Sequence, residues 1–239
     1  MTEEDRFIRY LMDFGLSRQE ALVYRELLSG GKQSGYEIAK EAGISRSNAY
    51  TTLAALVEKG AAYLVEESAK RYIPVSIEEF CGNRLRRMEG EREWLMENLP
   101  YENAGEDGYI TVEGETNIRD RMLNLLDRAE ERVYLSCSLD CLEQIRPWLE
   151  RLAISGKKVV LITDSTFEIP GVTVYVTDPK GRQIGLIADS RYVLTGEYGQ
   201  GSMNTCLYSG QKNFVKIFKT ALANEIELIK IRKGERKND

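Results

Sequence analysis

A helical N-terminal third closed by a short hairpin, followed by a half in which strands and helices alternate, predicts an α+β domain joined to an α/β domain. The length of 239 residues allows one or two compact domains, and 42% hydrophobic against 30% charged residues suits globular cores rather than disorder. The pattern breaks softly near Val75-Ser76 and again over residues 100–108, which combine one Pro, two Gly and several polar side chains. These breaks give a first domain at 1–75, a linking helix at 76–99, a linker at 100–108, a second domain at 109–232 and a charged, frayed tail at 233–239.

In the first domain, Phe7, Ile8, Leu11 and Met12 recur at helical spacing until Gly15. Ser17 with Glu20 three residues on forms a capping box for a second helix, whose apolar stripe is Ala21, Val23, Tyr24, Leu27 and Leu28. Gly30-Gly31 ends it. Ser34 caps a short third helix carrying Ile38 and Ala39, and Gly43 terminates that one with Ile44 packed in the turn. Ser45 then caps a fourth helix that buries Ala49, Leu53, Leu56 and Val57 and stops at Gly60. Two strand-like runs, Ala61 to Val65 and Arg71 to Val75, flank a polar turn and make a hairpin.

A short helix, a glycine turn, a second helix and a hairpin together make a winged helix-turn-helix. The second helix of such a pair fits the major groove of double-stranded DNA, with its first turns at the base edges. The residues at those positions are Arg46, Ser47, Asn48, Thr51 and Thr52. Arg suits guanine O6 and N7, and Asn suits adenine N6 and N7. Lys70 and Arg71 fall at the hairpin tip or its return strand, where a wing meets phosphate, and Lys32 and Lys40 add possible backbone contacts. Glu37, Glu41 and Glu58 are expected off the DNA-facing surface. The formal net charge of −5 runs against a dedicated nucleic-acid binder, so the DNA reading rests on local pattern. A protein-interaction adaptor with a solvated polar face is the alternative.

The run from Phe14 to Val75 resembles the N-terminal domain of TrmB-type transcriptional regulators. The residues carrying the resemblance are Gly15-Leu16-Ser17, Glu20-Ala21, Tyr24, Ser34 to Ala39, Gly43 to Ser47, Tyr50, Leu53, Leu56, Glu58-Lys59-Gly60, Lys70-Arg71-Tyr72 and Pro74-Val75. The resemblance implies a cytoplasmic, usually dimeric, prokaryotic repressor or activator. Residues 76–99 agree with it: Cys81, Leu85, Met88, Leu95 and Leu99 follow a 4-3 spacing interrupted by Arg92, an imperfect coiled-coil seam. A seam this short is marginal alone, which implies a homodimer partner. A helix packed along its own domain is the other reading.

From Tyr109 to Arg232 the expected strands are 109–112, 132–138, 158–163, 172–176, 184–189, 192–195 and 204–208. The expected helices are 119–129, 139–154 and 213–231. This half is similar to a phospholipase D-like domain, whose signature runs H-x-K, four residues, D, six residues, G-S. Aligned on Asp189, it places Arg182 at the His position, Ile184 at the Lys position, Gly196 at the Gly position and Glu197 at the Ser position. The register survives and the chemistry does not, since a guanidinium stays protonated and cannot serve as the nucleophile. The chain contains no histidine at all. That excludes His-dependent triads, His-ligated zinc and a phosphohistidine intermediate, and leaves no catalytic residue to nominate.

The four cysteines, Cys81, Cys137, Cys141 and Cys206, form no C-x-x-C pair, so reduced buried thiols are expected rather than a metal or redox site. No cofactor is expected. Apolar runs such as 159–162 are too short to span a bilayer, and the N-terminus lacks a basic and apolar leader, so a cytoplasmic location without membrane contact is expected. The combined reading is a DNA-binding regulator whose second domain senses a small polar metabolite or holds the dimer. A sugar ligand is in doubt because no further sugar-binding extension follows the last helix. Effector candidates are the polar residues expected at strand ends or degenerate motif positions, Ser136, Ser138, Thr163, Asp164, Arg182, Asp189 and Glu197. A phosphodiesterase or nuclease is the alternative that the missing histidine disfavours.

Overall fold

The computed structural model describes residues 2–66, 69–100, 108–199 and 204–235. The chain divides into two compact units, Met1–Glu102 and Asn103–Asp239. Residues 101–107 of the expected linker and residues 236–239 of the expected tail lie outside the described residues.

The first unit contains α1 (Glu3–Asp13), α2 (Arg18–Gly30), β1 (Gln33–Ser34), α3 (Gly35–Glu41), α4 (Arg46–Glu58), β2 (Ala62–Glu66), β3 (Lys70–Pro74) and α5 (Ile77–Glu97). A hydroxyl side chain opens every one of these helices. Thr2, Ser17, Ser34, Ser45 and Ser76 each accept the backbone N–H three residues on, and capping boxes close at Asp5, Glu20 and Glu37. Such a cap contributes about 1 kcal/mol. The unexpected strand β1 pairs with β3, giving a three-stranded sheet in the order β1-β3-β2.

The core of this unit gathers Leu16, Tyr24, Leu27, Ile38, Leu53, Leu56 and Phe80. Tyr24 meets the Phe80 ring edge-on at 5.5 Å and donates its hydroxyl proton to the Val75 carbonyl at 2.7 Å. The root of α5 is thereby locked to α2. Two expectations are corrected in this unit. On α1 only Ile8 and Leu11 are buried, while Phe7 and Met12 face outward. On α4 the buried set is Ala49, Thr52, Leu53 and Leu56, with Val57 only half-buried.

The second unit contains β4 (Ile110–Glu113), α6 (Glu115–Arg128), β5 (Arg132–Ser136), α7 (Leu139–Ile154), β6 (Lys158–Thr163), β7 (Thr173–Val176), β8 (Gln183–Ala188), β9 (Tyr192–Glu197), β10 (Thr205–Ser209) and α8 (Lys212–Glu235). Its seven strands form one sheet in the order β4-β10-β9-β8-β5-β6-β7. The β5-β6-β7 part is parallel, and every other pairing is antiparallel. Helix α8 runs to Glu235, so the first residues expected in a frayed tail are helical.

Alternation along each strand builds two cores from one sheet. Val133, Leu135, Val159, Leu161, Leu186 and Leu194 point to the face covered by α6 and α7. Their neighbours Tyr134, Ile162, Ile187 and Val193 point to the other face, where Val215, Leu222 and Ile229 of α8 cover them at seven-residue intervals. The result is a three-layer α/β/α sandwich. Gly196 sits where β9 passes closest to β10. A Cβ there would lie 2.2 Å from the Thr205 carbonyl oxygen, and its φ of +151° disfavours any side chain. Gly185, on the neighbouring strand, faces open space. Gly196→Ala is therefore expected to destabilise this unit by about 2–3 kcal/mol, while Gly185→Ala stays within a few tenths. Thermal melts of the two variants side by side check this, and equal melting temperatures would contradict it.

Candidate nucleic-acid interface

Helix α4 starts at Arg46 because the Ser45 hydroxyl accepts the Asn48 N–H at 3.2 Å. That cap puts Arg46, Ser47 and Asn48 in the first turn, all three exposed, with no acidic side chain in that turn. Thr51 follows on the same exposed face and turns its hydroxyl back to the Ser47 carbonyl at 3.0 Å. Thr52 does not belong to this surface. It is buried at 7% exposure, because a 3.6-residue repeat puts it beside Ala49, Leu53 and Leu56 on the core face.

Two tyrosines complete the surface. The Arg46 guanidinium lies over the Tyr36 ring at 4.5 Å, and half of that ring is exposed. A stacked arginine loses less freedom on meeting a base or phosphate, because its plane is already held. Tyr50 packs against the start of α3, so close that a Cβ on Gly35 would meet its ring at 2.5 Å and displace it. The sequence carries no periodic signal for Tyr36, since α3 spans seven residues. Its one visible hint is an aromatic residue off the Ile38-Ala39 stripe.

On the wing, Lys70 is exposed and Arg71 half-buried. Arg71 approaches the Glu37 carboxylate at 3.4 Å. Glu37 therefore does not fall away from the DNA-facing side, as its sequence position suggests. It stands behind the wing arginine while accepting the Ser34 N–H and hydroxyl, each at 2.7 Å. The hydrogen bonds from Ser34, with help from Arg71, hold the Glu37 carboxyl below its ordinary range. Part of Arg71's charge is thus spent inside the protein, and Lys70 is the freer cation. Part of the wing turn, residues 67–68, lies outside the described residues.

Helix α5 leaves Leu85, Met88, Trp94, Leu95 and Met96 exposed. Of the expected seam, Cys81 instead packs partly against the core of the first unit, and Leu99 lies beyond the helix end at Glu97.

In the second unit the nominated effector residues fall at opposite ends of the sheet. Ser136 and Thr163 end the parallel strands β5 and β6, and both are buried; the Thr163 hydroxyl has no hydrogen-bond partner. Ser138 caps α7, and Asp164 accepts the Leu139 N–H at 3.1 Å. Strand β8 runs antiparallel to β5, which brings Arg182 to the same end. Arg182 reaches Glu197 at 3.6 Å and donates to the Asn204 side-chain oxygen at 3.0 Å.

The same antiparallel course carries Asp189 to the far end, so the sheet separates it from the other six. Its carboxylate accepts the N–H groups of Glu130, Glu131 and Arg132 at 2.8, 2.8 and 2.9 Å. Asp189 is a brace for the chain entering β5, not a pocket wall. At the degenerate motif, Ile184 is buried in the core. Of the thiols, Cys137, Cys141 and Cys206 are buried and Cys81 is half-buried. Burial raises the Cys137 thiol and pushes Cys206 up to about 11.

A glycine-turned helix pair with an antiparallel wing, exposing an acid-free polar first turn, is the DNA-binding module of a transcriptional regulator. Residues 11–78 match the family model described as sugar-specific transcriptional regulator TrmB, so the first unit carries a TrmB-type domain. YrhO, an uncharacterized protein of Bacillus subtilis, is 21% identical over 98% of this chain and 89% of its own length. The HTH-type sugar sensing transcriptional regulator TrmBL1 of Pyrococcus furiosus is 28% identical over 70% of this chain, which spans 50% of that protein. Among solved structures, the archaeal chromatin protein TrmBL2 matches over 95% of this chain and 99% of its own, at 18% identity and a TM-score of 0.45. NucT from Helicobacter pylori matches over 50% of this chain and 96% of its own, at 16% identity and a TM-score of 0.41. Among the described residues no helix is long and apolar enough to cross a membrane.

The Asp189 brace makes the stability of this unit depend on pH. Burial alone would raise this carboxyl, but the three N–H groups outweigh it and hold its pKa below the ordinary value of 3.8. A depressed carboxylate stabilises the fold above its unfolded pKa, and the effect is lost as pH falls through the folded one. Asp189→Asn keeps the residue's tolerance of φ +50° while removing the charge. It is expected to cost about 1–2 kcal/mol at pH 7, with the gap to wild type narrowing as pH falls below the ordinary carboxyl value of 3.8. Urea unfolding across that range measures it.

Proposed function

We propose that this regulator contacts its operator through Arg46, Ser47, Asn48 and Thr51, with Lys70 as the principal phosphate contact of the wing. The observation that carries the reading is the Arg46 guanidinium, exposed in the first turn of α4 and held over Tyr36. Such a group forms two hydrogen bonds to a guanine edge with little loss of freedom. Arg46→Ala is expected to weaken specific binding by roughly 1–3 kcal/mol with the fold intact. Lys70→Ala is expected to weaken binding on every sequence and to flatten the salt slope by about one unit. Arg71→Ala moves the slope less, because Glu37 already shares that charge. Gel-shift titrations on the native promoter at several salt concentrations decide it. Unchanged affinity on losing Arg46 would sink the assignment.

The same reading makes the protein a cytoplasmic homodimer that catalyses no reaction. Leu85, Met88 and Leu95 of α5, each roughly half exposed or more, are the support for dimerisation. Leu85→Glu combined with Leu95→Glu is expected to turn a dimer into a monomer at micromolar concentration. Sedimentation of both forms checks this, and a wild-type monomer would contradict it. The second unit serves as a sensing or dimerisation platform. The end of its sheet carrying Ser136, Ser138, Thr163, Asp164, Arg182 and Glu197 is the place for a small polar metabolite. TrmBL1, a relative described as sugar sensing, makes a metabolite the favoured class of effector.

A further inference from the structure

At the end of the sheet away from Arg182, a cavity of about 440 Å³ opens between the β8–β9 turn and the first turns of α8. Its rim is cationic: Arg191 from the turn, and Lys212, Lys216 and Lys219 from the helix. The three lysines follow i, i+4 and i+7, so they share one side of α8. Among the described residues no carboxylate pairs with any of the three. Arg191 approaches Glu130 at 3.6 Å, with both side chains mostly exposed, and Asp189 nearby is occupied by its three N–H groups. The apolar wall is Val215 and the Tyr192 ring, which stacks on Tyr208 at 5.8 Å.

This arrangement works against the stability of its own helix. Lysines four apart repel, and a cation in the first turn opposes the helix dipole. No acidic residue offsets Lys212 in the first turn of α8, whereas α1, α2, α3, α5, α6 and α7 all carry one there. Ser190, whose backbone is left-handed at φ +55°, turns the chain at the cavity rim beside Arg191.

We propose that this cavity binds the phosphate group of a small phosphorylated organic molecule. The lysines and Arg191 neutralise the phosphate, and the organic part lies against Tyr192 and Val215. The volume is that of a small-molecule site, larger than a bare anion needs. The site uses none of the residues assigned to DNA or to the opposite end of the sheet, so it stands or falls separately from them.

Calorimetric titration of the full chain with phenyl phosphate, inorganic phosphate and phenol tests it at constant ionic strength. Phenyl phosphate is expected to bind more tightly than inorganic phosphate, and phenol not measurably. Lys216→Gln combined with Lys219→Gln is expected to weaken phenyl phosphate by roughly tenfold or more, the loss of at least one charge-assisted hydrogen bond. This variant should leave the melting temperature of the unliganded protein within a degree or two of wild type. Absence of binding at millimolar phenyl phosphate, or equal binding by the lysine variant, would overturn the proposal. So would a lysine variant that binds phenyl phosphate normally but loses affinity for duplex DNA, because the cations would then belong to a DNA backbone.

Discussion

The Glu20 carboxylate accepts the Ser17 N–H at 2.7 Å and the Lys59 ammonium at 2.6 Å, which ties the first turn of α2 to the residue after α4. Lys59 also donates to the Gly15 carbonyl at 2.9 Å, so three segments meet at one ammonium group. With the Ser45 cap fixing the start of α4 and Lys59 its end, the helix cannot rotate about its axis without breaking one of them. That rotation is what would move Arg46 and Asn48 off the exposed face. Burial opposes ionisation of Glu20, but Lys59 and the Ser17 N–H outweigh it and keep the carboxyl below its ordinary range. The tie is therefore fully formed above the unfolded pKa of Glu20 and is lost as pH falls through the folded one.

Much of this is legible in the sequence because it is local. A serine three residues ahead of a glutamate announces its helix whatever surrounds it, as Ser17 and Ser34 do. The glycine turn, the hairpin and the alternation of the second domain are legible for the same reason. Thr52 misleads because its chemistry, a hydroxyl in the second turn, points to DNA while its phase points to the core. Phase decides, since a side chain cannot leave its face of the helix. Asp189 misleads for a different cause. A linear motif says how far apart residues are but not which way their strands run, and the reversal of β8 against β5 exchanges the two ends. The pairing of Arg71 with Glu37 joins residues 34 positions apart and has no sequence signal.

The residues that align with the signature in the second domain have structural tasks of their own. Asp189 anchors three backbone N–H groups, and Gly196 lets β9 pass against β10 without a clash. Neither task concerns chemistry on a substrate. Arg182 and Ile184, at the two positions where chemistry would reside, are an ion-paired side chain and a core residue.

The missing histidine has a consequence for regulation. Histidine is the one side chain that ordinarily changes charge between pH 5 and 8. The Glu20 and Asp189 carboxylates are held low, and burial lifts the Cys137 and Cys206 thiols away from that window. With no imidazole among its 239 residues, the chain lacks the ordinary proton acceptor of that window. The charge presented to a polyanion is then almost constant across the pH excursions of a living cell. Near neutrality, ionic strength rather than acidity sets how strongly such a surface meets a polyanion.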